Sequence, residues 1–461
     1  MDDKTRDNQL NELTAISPID GRYGGRTSSL RASLSEYGLM KNRLEVEIGW
    51  LLTLSQELTL DKEAKVKIID QKLKEIVREF SEKDGQKIKE LEKSINHDVK
   101  AIEYFLQEKM LREDLLKRLV PYIHFGCTSE DINNLAYGIM LENVRRSYVL
   151  PAIHSLCQTL RNLANRYANC SMLSRTHGQP ATPTTMGKEL ANFVYRLESQ
   201  AAKWSNLALK GKINGAVGNY NAFIVAYPNT DWQKISRKFV ESLSLEFNPY
   251  TTQIEPHDSM ACYFNELGLI NSILIDLSQD IWAYISIGYF SQKQKKSEVG
   301  SSTMPHKINP IDFENAEGNL GISTALMQHF AQKLTISRLQ RDLSDSTVLR
   351  NLGVALSHHL LATESLNKGL DKLDINENKM SRDLEGCWDI LAEPVQMVMR
   401  SCGIGDAYEQ LKELCRGKPL DKKTIHDFVD SLDVPEEKIQ LLKKLTPSKY
   451  VGLAPQLAKE I

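Results

Sequence analysis

Apolar side chains recur at the three- and four-residue spacing of an α-helix along most of this 461-residue chain. The clearest case begins at Ile132, from which apolar positions follow i, i+3, i+4 and i+7 as far as Val144. Similar stretches begin at Val99 and Thr184, and others span residues 267–287 and 348–361. Alternating runs of β-branched residues between turn pairs, which would indicate strands, are hard to find. The pattern therefore predicts an all-α fold.

Several predicted helices are longer than the roughly 8–20 residues usual in globular proteins, which favours a bundle of long helices. Two changes in composition suggest boundaries along the chain. Charge-rich helices end near Pro121, and a polar segment, DKLDINENKMSRD, follows Leu370. We therefore predict three helical parts: an N-terminal domain (1–124), a central long-helix bundle (125–370) and a small C-terminal domain (371–461).

A small polar loop, GSSTMPHKINP at Gly300–Pro310, interrupts the apolar period. Asn309 and Pro310 favour a helix start, as the N-cap and the first helical residue. Lys307 and the positive end of that helix would both stabilise an anion, including a serine alkoxide. A flexible surface loop has the same composition, so the spacing alone leaves both interpretations open.

Two further polar segments open predicted helices. In CTSEDINN, Thr128 stands three residues before Asp131, which is the pattern of a capping box. A helix start that carries hydroxyl side chains is also a ready site for an anion. The NHD segment at residues 96–98 opens another helix. Each of these segments is either a plain helix cap or an anion site.

The segment SRTHGQPATPTT places His177 among residues that break helices. Pro180 and Pro183 predict a loop that becomes helical at about Thr184. A single histidine in a loop is more often structural or solvated than catalytic, so this segment alone does not assign a role to His177.

Two arginine-containing segments complete the set of polar junctions. In RLQRDLSDSTVLR, Arg341, Ser346 and Arg350 stand where they can converge on a phosphate or a carboxylate. The flexible segment DGRYGGR carries Arg22 and Tyr23. Exposed arginines are usually just solvated, but five polar, anion-friendly junctions besides the loop at Gly300–Pro310 favour a site for an anionic ligand.

Composition excludes several other classes of function. The chain has 58 Lys+Arg and 60 Asp+Glu, so no overall basic field attracts a nucleic-acid backbone. The polar N-terminus lacks the apolar core of a signal peptide, and no stretch approaches the ~20 apolar residues of a membrane span. We expect a cytoplasmic protein.

Cysteine usage and the lack of cofactor motifs narrow the chemistry. The 7 cysteines are scattered and form no Cys-x-x-Cys pair, so we expect reduced thiols. No metal-binding cluster, dinucleotide fingerprint or Walker loop occurs in the sequence. These absences predict either chemistry without a cofactor or a metal, or no chemistry at all.

The loop GSSTMPHKINP resembles the signature of the fumarase/aspartase superfamily, G-S-S-x-M-P-x-K-x-N-P. Within it, the chain resembles the adenylosuccinate lyase family over essentially its whole length, and most of all the longer bacterial type that begins with SPIDGRY. The segments that carry this resemblance are TSEDINN, SRTHGQPATPTTMGKE, GKINGAVGNYNA, NPYTTQIEPHD and QRDLSDSTVLRN. No departure from the family pattern occurs at the expected catalytic positions.

The resemblance implies a β-elimination in purine synthesis. Adenylosuccinate would give AMP and fumarate, and succinyl-aminoimidazole-carboxamide ribotide would give its carboxamide and fumarate. By resemblance, Ser301 is the general base and His177 is the general acid toward the leaving nitrogen. His97 is the second family histidine, near the substrate phosphate and the active centre, and Glu314 orients the acid histidine.

The resemblance also implies the substrate contacts. The phosphate and ribose contacts would be Arg22, Tyr23, Arg341, Ser346 and Arg350. The succinyl carboxylates would meet Thr128, Ser129, Lys307 and Asn309, of which the last two also stabilise the charge that develops on a carboxylate. Other substrate contacts would be Asn96, His97, Asp98, Gln253, Ser302 and Met304. One phosphate and two carboxylates would explain many anion sites in a chain that is not basic.

For the fold, the resemblance implies three helical domains whose central helices form a twenty-helix core in a homotetramer, with each active site assembled from three subunits. Two alternatives stay open. One is another superfamily lyase, such as argininosuccinate lyase, fumarase, aspartase or a cycloisomerase; fumarase and aspartase tend to carry Gly where this chain has His306. The other is a helical scaffold without turnover, against which Ser301, His177 and Lys307 argue.

Overall fold

The computed structural model describes residues 11–60, 63–293, 304, 307–416 and 420–461. Helices dominate these residues, so the predicted all-α class is confirmed. The helices of the first half are α1 (Gly24–Thr27), α2 (Arg31–Leu34), α3 (Glu36–Glu57), α4 (Glu63–Arg78), α5 (Glu82–Ile95), α6 (Asp98–Leu111), α7 (Ser129–Val144), α8 (Leu150–Arg166), α9 (Met186–Ser205), α10 (Asn221–Ala226) and α11 (Trp232–Ser242). Those of the second half are α12 (Asp258–Ser286), α13 (Ile311–Lys333), α14 (Ser344–Leu349), α15 (Leu352–Leu370), α16 (Glu377–Glu385), α17 (Ala392–Ser401), α18 (Ala407–Leu414), α19 (Lys422–Asp430), α20 (Glu436–Lys443) and α21 (Ala454–Glu460).

Short strands form three two-stranded sheets within the described ranges. The strands are β1 (Ser171–Thr176), β2 (Gln179–Thr185), β3 (Lys210–Gly211), β4 (Glu246–Phe247), β5 (Phe290–Gln292) and β6 (Leu373–Ile375). The pairs β1–β2 and β5–β6 are antiparallel, and β3–β4 is parallel. None of these strands is long enough to change the fold class.

The chain divides into two compact units. The first comprises Met1–Ala152, Gln200–Ser272 and Gly318–Ala362. The second comprises Ile153–Ser199, Ile273–Glu317 and Thr363–Ile461. Each unit draws on three separate stretches of chain, and the predicted domain boundaries near residues 124 and 370 stay a prediction.

In the first unit, α3 is the central helix of an apolar core. Its residues Leu44 and Leu51 are fully buried and pack with Ile102 and Leu106 of α6. Since α3 packs against both α6 and α7, it positions these two helices relative to each other. The N-terminal ends of α6 and α7 carry predicted site residues.

In the second unit, a separate core lies among the C-terminal helices. Val395 and Met399 of α17 pack there with Leu411 of α18 and with Val429 of α19. The hairpin β1–β2 packs against α16 of the same unit. None of the helices in the described part of the chain is long and apolar enough to cross a membrane.

The prediction of a loop at SRTHGQPATPTT is wrong. These residues lie in the antiparallel hairpin β1–β2, and the next helix begins at Met186, not at about Thr184. The prolines exclude a helix, as predicted, but Pro183 is accommodated where the strand register shifts.

Candidate active site

The N-terminus of α7 carries two of the predicted substrate contacts. Thr128 is its N-cap residue and Ser129 its first residue. The Asp131 carboxylate accepts a hydrogen bond from the Thr128 backbone N–H at 2.8 Å, so the predicted capping box is confirmed. The two hydroxyl side chains therefore lie where the helix dipole and backbone N–H groups favour an anion.

Asp131 also holds the segment GKINGAVGN against this helix end. Its Oδ1 forms an ion pair with Lys212 Nζ at 2.8 Å, and both side chains are 0% exposed. The same carboxylate accepts the backbone N–H groups of Asn214 at 2.9 Å and Gly215 at 3.1 Å. The sequence pattern indicates the capping role of Asp131, but it does not mark Lys212 as buried.

Replacing Lys212 by methionine is expected to lower the free energy of unfolding by about 3–5 kcal/mol, because the Asp131 charge stays buried without its cation. Lys210 makes a partly exposed pair with Glu246, so Lys210→Met should change stability by about 1 kcal/mol or less. Urea unfolding at one fixed protein concentration measures both effects. Equal losses in the two variants would contradict the importance of the buried pair.

The NHD segment joins α5 to α6. Asn96 ends α5 in the left-handed conformation, with φ of 56°. His97 is the N-cap of α6, and its Nδ1 accepts the Lys100 backbone N–H at 3.1 Å. The predicted helix start at NHD is confirmed. Because Nδ1 is an acceptor, the proton of the neutral imidazole lies on Nε2.

Asp98, the next residue, lies between two arginines. Arg43 of α3 is 2% exposed, and its Nη2 lies 2.8 Å from Asp98 Oδ2. Arg350, at the end of α14, donates to the same oxygen at 3.1 Å and to Ser346 Oγ at 2.5 Å. Burial acts to raise the pKa of Asp98, but the charges of Arg43 and Arg350 outweigh it and hold that pKa below its usual value.

Further contacts extend this network to α7. Arg43 Nε donates to Asn133 Oδ1 at 2.9 Å, and Asn133 Nδ2 donates to Glu130 Oε1 at 2.7 Å. Glu130 pairs with Arg341 at 3.0 Å, and Arg341 also pairs with Asp345 at 2.7 Å. One continuous network, the arginine network, therefore links NHD, TSEDINN and QRDLSDSTVLR within the first unit.

The arginine network contains some of the residues that are predicted to bind the substrate phosphate. Ser346 and Arg350 are in contact, whereas Arg341 is bound by two carboxylates, because the buried Glu130 requires a cationic partner. Arg43 is a member that the sequence reasoning missed. An arginine inside a regular helix looks like a solvated surface residue, and no local pattern distinguishes it.

Three other predicted contacts lie elsewhere in the first unit. Arg22 is exposed, and Tyr23 is half-buried with the Arg26 guanidinium 5.8 Å from its ring centre. Gln253 donates to the Ala216 carbonyl in the segment GKINGAVGN at 3.1 Å. The substrate contacts assigned to these side chains stay predictions.

A second missed residue, His124, precedes the α7 N-terminus. It has a φ of 56°, and its Nδ1 lies 2.6 Å from Oε1 of the fully buried Glu47. Burial raises the pKa of Glu47, although the bond to His124 opposes that change. The sequence does contain one indication of a role for His124, because this histidine stands two residues before Gly126 at the start of a polar junction.

In the second unit, His177 occupies the tip of the hairpin β1–β2. His177 and Gly178 form its two-residue turn with φ values of 53° and 75°, the geometry of a type I′ turn. The imidazole is exposed at this tip. The hairpin therefore holds the His177 imidazole at its exposed tip.

The end of the signature loop leads into α13. The Lys307 backbone N–H donates to the Met304 carbonyl at 3.0 Å, and Lys307 itself is exposed. The Pro310 carbonyl accepts the Glu314 N–H at 3.2 Å. The sequence predicts Asn309 as the N-cap and Pro310 as the first helical residue. The helix begins one residue later, at Ile311, because the Pro310 carbonyl is the first helical acceptor.

The predicted roles of the catalytic groups stay predictions. Ser301 and Ser302 lie outside the described residues. Glu314 accepts the Trp282 indole N–H at 3.2 Å. Among the residues that the structure describes in one chain, no hydrogen bond joins Glu314 to His177, so the orienting role of Glu314 stays a prediction.

Comparisons with known proteins identify the family of this chain. Residues 21–322 match the family described as Lyase, and residues 337–451 match the adenylosuccinate lyase C-terminal family. The adenylosuccinate lyase of Legionella pneumophila is 53% identical over 454 residues, which are 98% of this chain and 99% of that protein. That of Escherichia coli strain K12 is 50% identical over 455 residues, which are 98% and 100%.

The chain belongs to the adenylosuccinate lyase family. This membership confirms the predicted resemblance and the prediction that the protein is a lyase. Solved structures agree on the fold: a fumarate lyase from Mesorhizobium sp. BNC1 has a TM-score of 0.75 at 17% identity, covering 94% of this chain and 97% of its own. A 3-carboxy-cis,cis-muconate lactonizing enzyme from Pseudomonas putida has a TM-score of 0.73 at 19% identity, covering 98% of each chain.

Proposed function

We propose that this adenylosuccinate lyase family member eliminates fumarate from adenylosuccinate, giving AMP, and from succinyl-aminoimidazole-carboxamide ribotide, giving the carboxamide ribotide. The arginine network is the observation that carries the proposal. It joins Ser346 and Arg350, the proposed phosphate contacts, to the α7 N-terminus, which holds Thr128 and Ser129. A ligand with one phosphate and two carboxylates suits such a surface.

The proposed reaction divides proton transfer between two groups. Ser301 takes the proton from the carbon β to the nitrogen, and the electron pair gathers on the adjacent carboxylate. Lys307 and Asn309 stabilise that charge by preorganised electrostatics. The carbon–nitrogen bond then breaks, the carbon–carbon double bond of fumarate forms, and His177 gives its proton to the leaving nitrogen.

We also propose a cytoplasmic homotetramer that works in purine synthesis without a cofactor and shares each active site between subunits. Exposed apolar side chains on the long helices support an assembly. Leu269 on α12 is 44% exposed, Ile322 on α13 is 50% exposed and Tyr195 on α9 is 67% exposed. Contiguous exposed apolar surface marks contacts between proteins, and we assign these side chains to the subunit contacts.

The ultraviolet change on mixing purified protein with adenylosuccinate tests this function. Argininosuccinate and fumarate with ammonia are run alongside. Turnover of adenylosuccinate alone supports the proposal. Turnover of argininosuccinate instead would indicate the sister lyase, and silence in every trace would indicate a scaffold without turnover.

Arg350→Ala is expected to raise KM for adenylosuccinate by about 10–100-fold with a smaller change in kcat, since the phosphate contact is equal in the ground and transition states. Asp98 keeps Arg43 as its partner, so the fold should survive. Arg338→Ala is the control, because that side chain is 83% exposed on the same segment. Steady-state kinetics in which kcat falls and KM stays unchanged would contradict a phosphate-binding role.

A further inference from the structure

The hairpin that carries His177 is held by the C-terminal stretch of the second unit. Strand β1 packs against α16 and against the 3₁₀ turn Pro447–Lys449, and β2 packs against the turn Trp388–Leu391. At the base of the hairpin, Ser171 Oγ donates to the Ser448 carbonyl at 2.8 Å. The position of the hairpin therefore depends on residues more than two hundred positions later in the chain.

Glu393, in the first turn of α17, joins the hairpin to the end of the chain. Its Oε2 accepts hydrogen bonds from Thr182 Oγ1 on β2 and from the Tyr450 hydroxyl, the latter at 3.0 Å. Burial and the Glu393 carboxylate raise the pKa of Tyr450 to about 12, so this phenol stays a proton donor at neutral pH. One carboxylate oxygen thus connects β2 to the segment that follows α20.

Thr182 reaches Glu393 at an irregularity in β2. The register of the hairpin shifts by one residue, so that Thr182 and Pro183 lie opposite Leu173 of β1. Such a bulge bends the strand and changes the direction of a side chain, and bulges are common beside active sites. The departure from regular pairing therefore lies at the residue that makes the C-terminal contact.

The tip of the hairpin requires this support. A histidine with a φ of 53° is in the left-handed conformation, which histidine adopts more readily than most residues but at a higher free energy than glycine. On the other strand, Arg175 lies 3.8 Å from Asp383 of α16. Contacts with the C-terminal stretch therefore flank the tip on both strands, and they hold the register that the turn needs.

We propose that Glu393 is a positioning residue for His177: by anchoring β2 through Thr182, it fixes where the imidazole stands relative to the leaving nitrogen. This inference rests on the proposed function, in which His177 donates a proton to that nitrogen. A general acid must stand within about 2.6–3.2 Å of its acceptor. A displacement of about 1 Å can lower the rate about 100-fold.

Three variants test the proposal in the adenylosuccinate assay. Glu393→Ala is expected to lower kcat by about tenfold or more while KM changes less than about twofold, because the imidazole is displaced and the binding groups are not. Glu393→Gln keeps an acceptor oxygen and should restore most of the kcat. Tyr450→Phe removes one hydroxyl with little risk to folding and should give an intermediate kcat. Glu437→Ala, an exposed glutamate of the same stretch, is the control and should match the wild type.

A double variant separates positioning from general stabilisation. In a His177→Asn background, Glu393→Ala should cause no further loss of residual turnover, because the group that it positions is absent. A further loss of the same size would overturn the proposal. So would an unchanged kcat in Glu393→Ala with intact His177.

Hydrogen exchange over residues 171–185 gives a readout that needs no turnover. Faster exchange in Glu393→Ala than in Glu437→Ala supports the anchor, and equal exchange contradicts it. If the wild type fails to turn over adenylosuccinate, the proposed function is wrong, and the exchange result alone decides whether Glu393 holds the hairpin.

Discussion

His177→Asn is expected to lower kcat for adenylosuccinate by about 10²–10⁴-fold with the fold intact, because it removes the proposed general acid. Asparagine suits this position better than alanine does. The tip residue has a φ of 53°, and asparagine tolerates the left-handed region better than other residues with a side chain. Asn-Gly is also the favoured pair for a two-residue hairpin turn of this geometry. The loss therefore reports on proton transfer and not on the hairpin.

Two comparisons make the His177 result decisive. His177→Ala should lose the same activity and also lower the thermal midpoint, because alanine is strained at this φ. His154→Asn changes an exposed histidine of α8 and should keep wild-type kinetics. The ultraviolet assay gives kcat and thermal unfolding gives the midpoints. A His177→Asn enzyme that keeps kcat within about tenfold of the wild type would contradict the assignment, since lost general-acid catalysis exceeds that factor.

The helices of this fold could be predicted because the apolar period marks the face that each one buries. The pattern from Ile132 to Val144 lies in α7, where its positions Ile132, Leu135 and Val144 are fully buried. The start of α7 could be predicted as well, since Thr128 and Asp131 act on each other within one turn. Both signals come from residues that are close in sequence, so a single sequence is enough to detect them.

The hairpin could not be predicted by the same reasoning. Pro180 and Pro183 indicate correctly that no helix forms there, but a strand with two prolines gives no alternating pattern. Its two short strands are held by contacts far along the chain, since Thr182 of β2 donates to Glu393 and Ser171 of β1 donates to the Ser448 carbonyl. The local clue was the pair His177–Gly178, since histidine and glycine both accept positive φ.

The arginine network shows a second limit of sequence reasoning. The motifs that end on it were recognisable, because NHD and TSEDINN stand at helix starts. Arg43, which joins them, lies inside α3 and meets Asp98 and Asn133, partners 55 and 90 positions away. An arginine can be recognised as buried only when its charged and polar partners are known. For Arg43, tertiary packing of α3 against α6 and α7 determines those partners.

The general base is expected within the signature loop, because the residues that end this loop lead into the N-terminus of a helix. Serine becomes a base when its surroundings stabilise the alkoxide. The N-terminus of α13 begins at Ile311, and Lys307 lies four residues before it. Gln292 Nε2 donates to the Ile308 carbonyl at 3.1 Å and so holds the approach to the helix. A cation and a positive helix end both favour a nearby alkoxide.

Ser301→Ala is expected to abolish turnover of adenylosuccinate, a loss at or beyond the upper end of the roughly 10²–10⁴-fold range for acid–base groups. Ser302→Ala is the matched control, because it removes the same hydroxyl one residue later and should keep measurable turnover. Sedimentation should show the same oligomer for both variants and the wild type, since each change removes a single hydroxyl group. If Ser302→Ala is the inactive variant and Ser301→Ala is active, then Ser302 is the base and the family assignment of Ser301 is wrong.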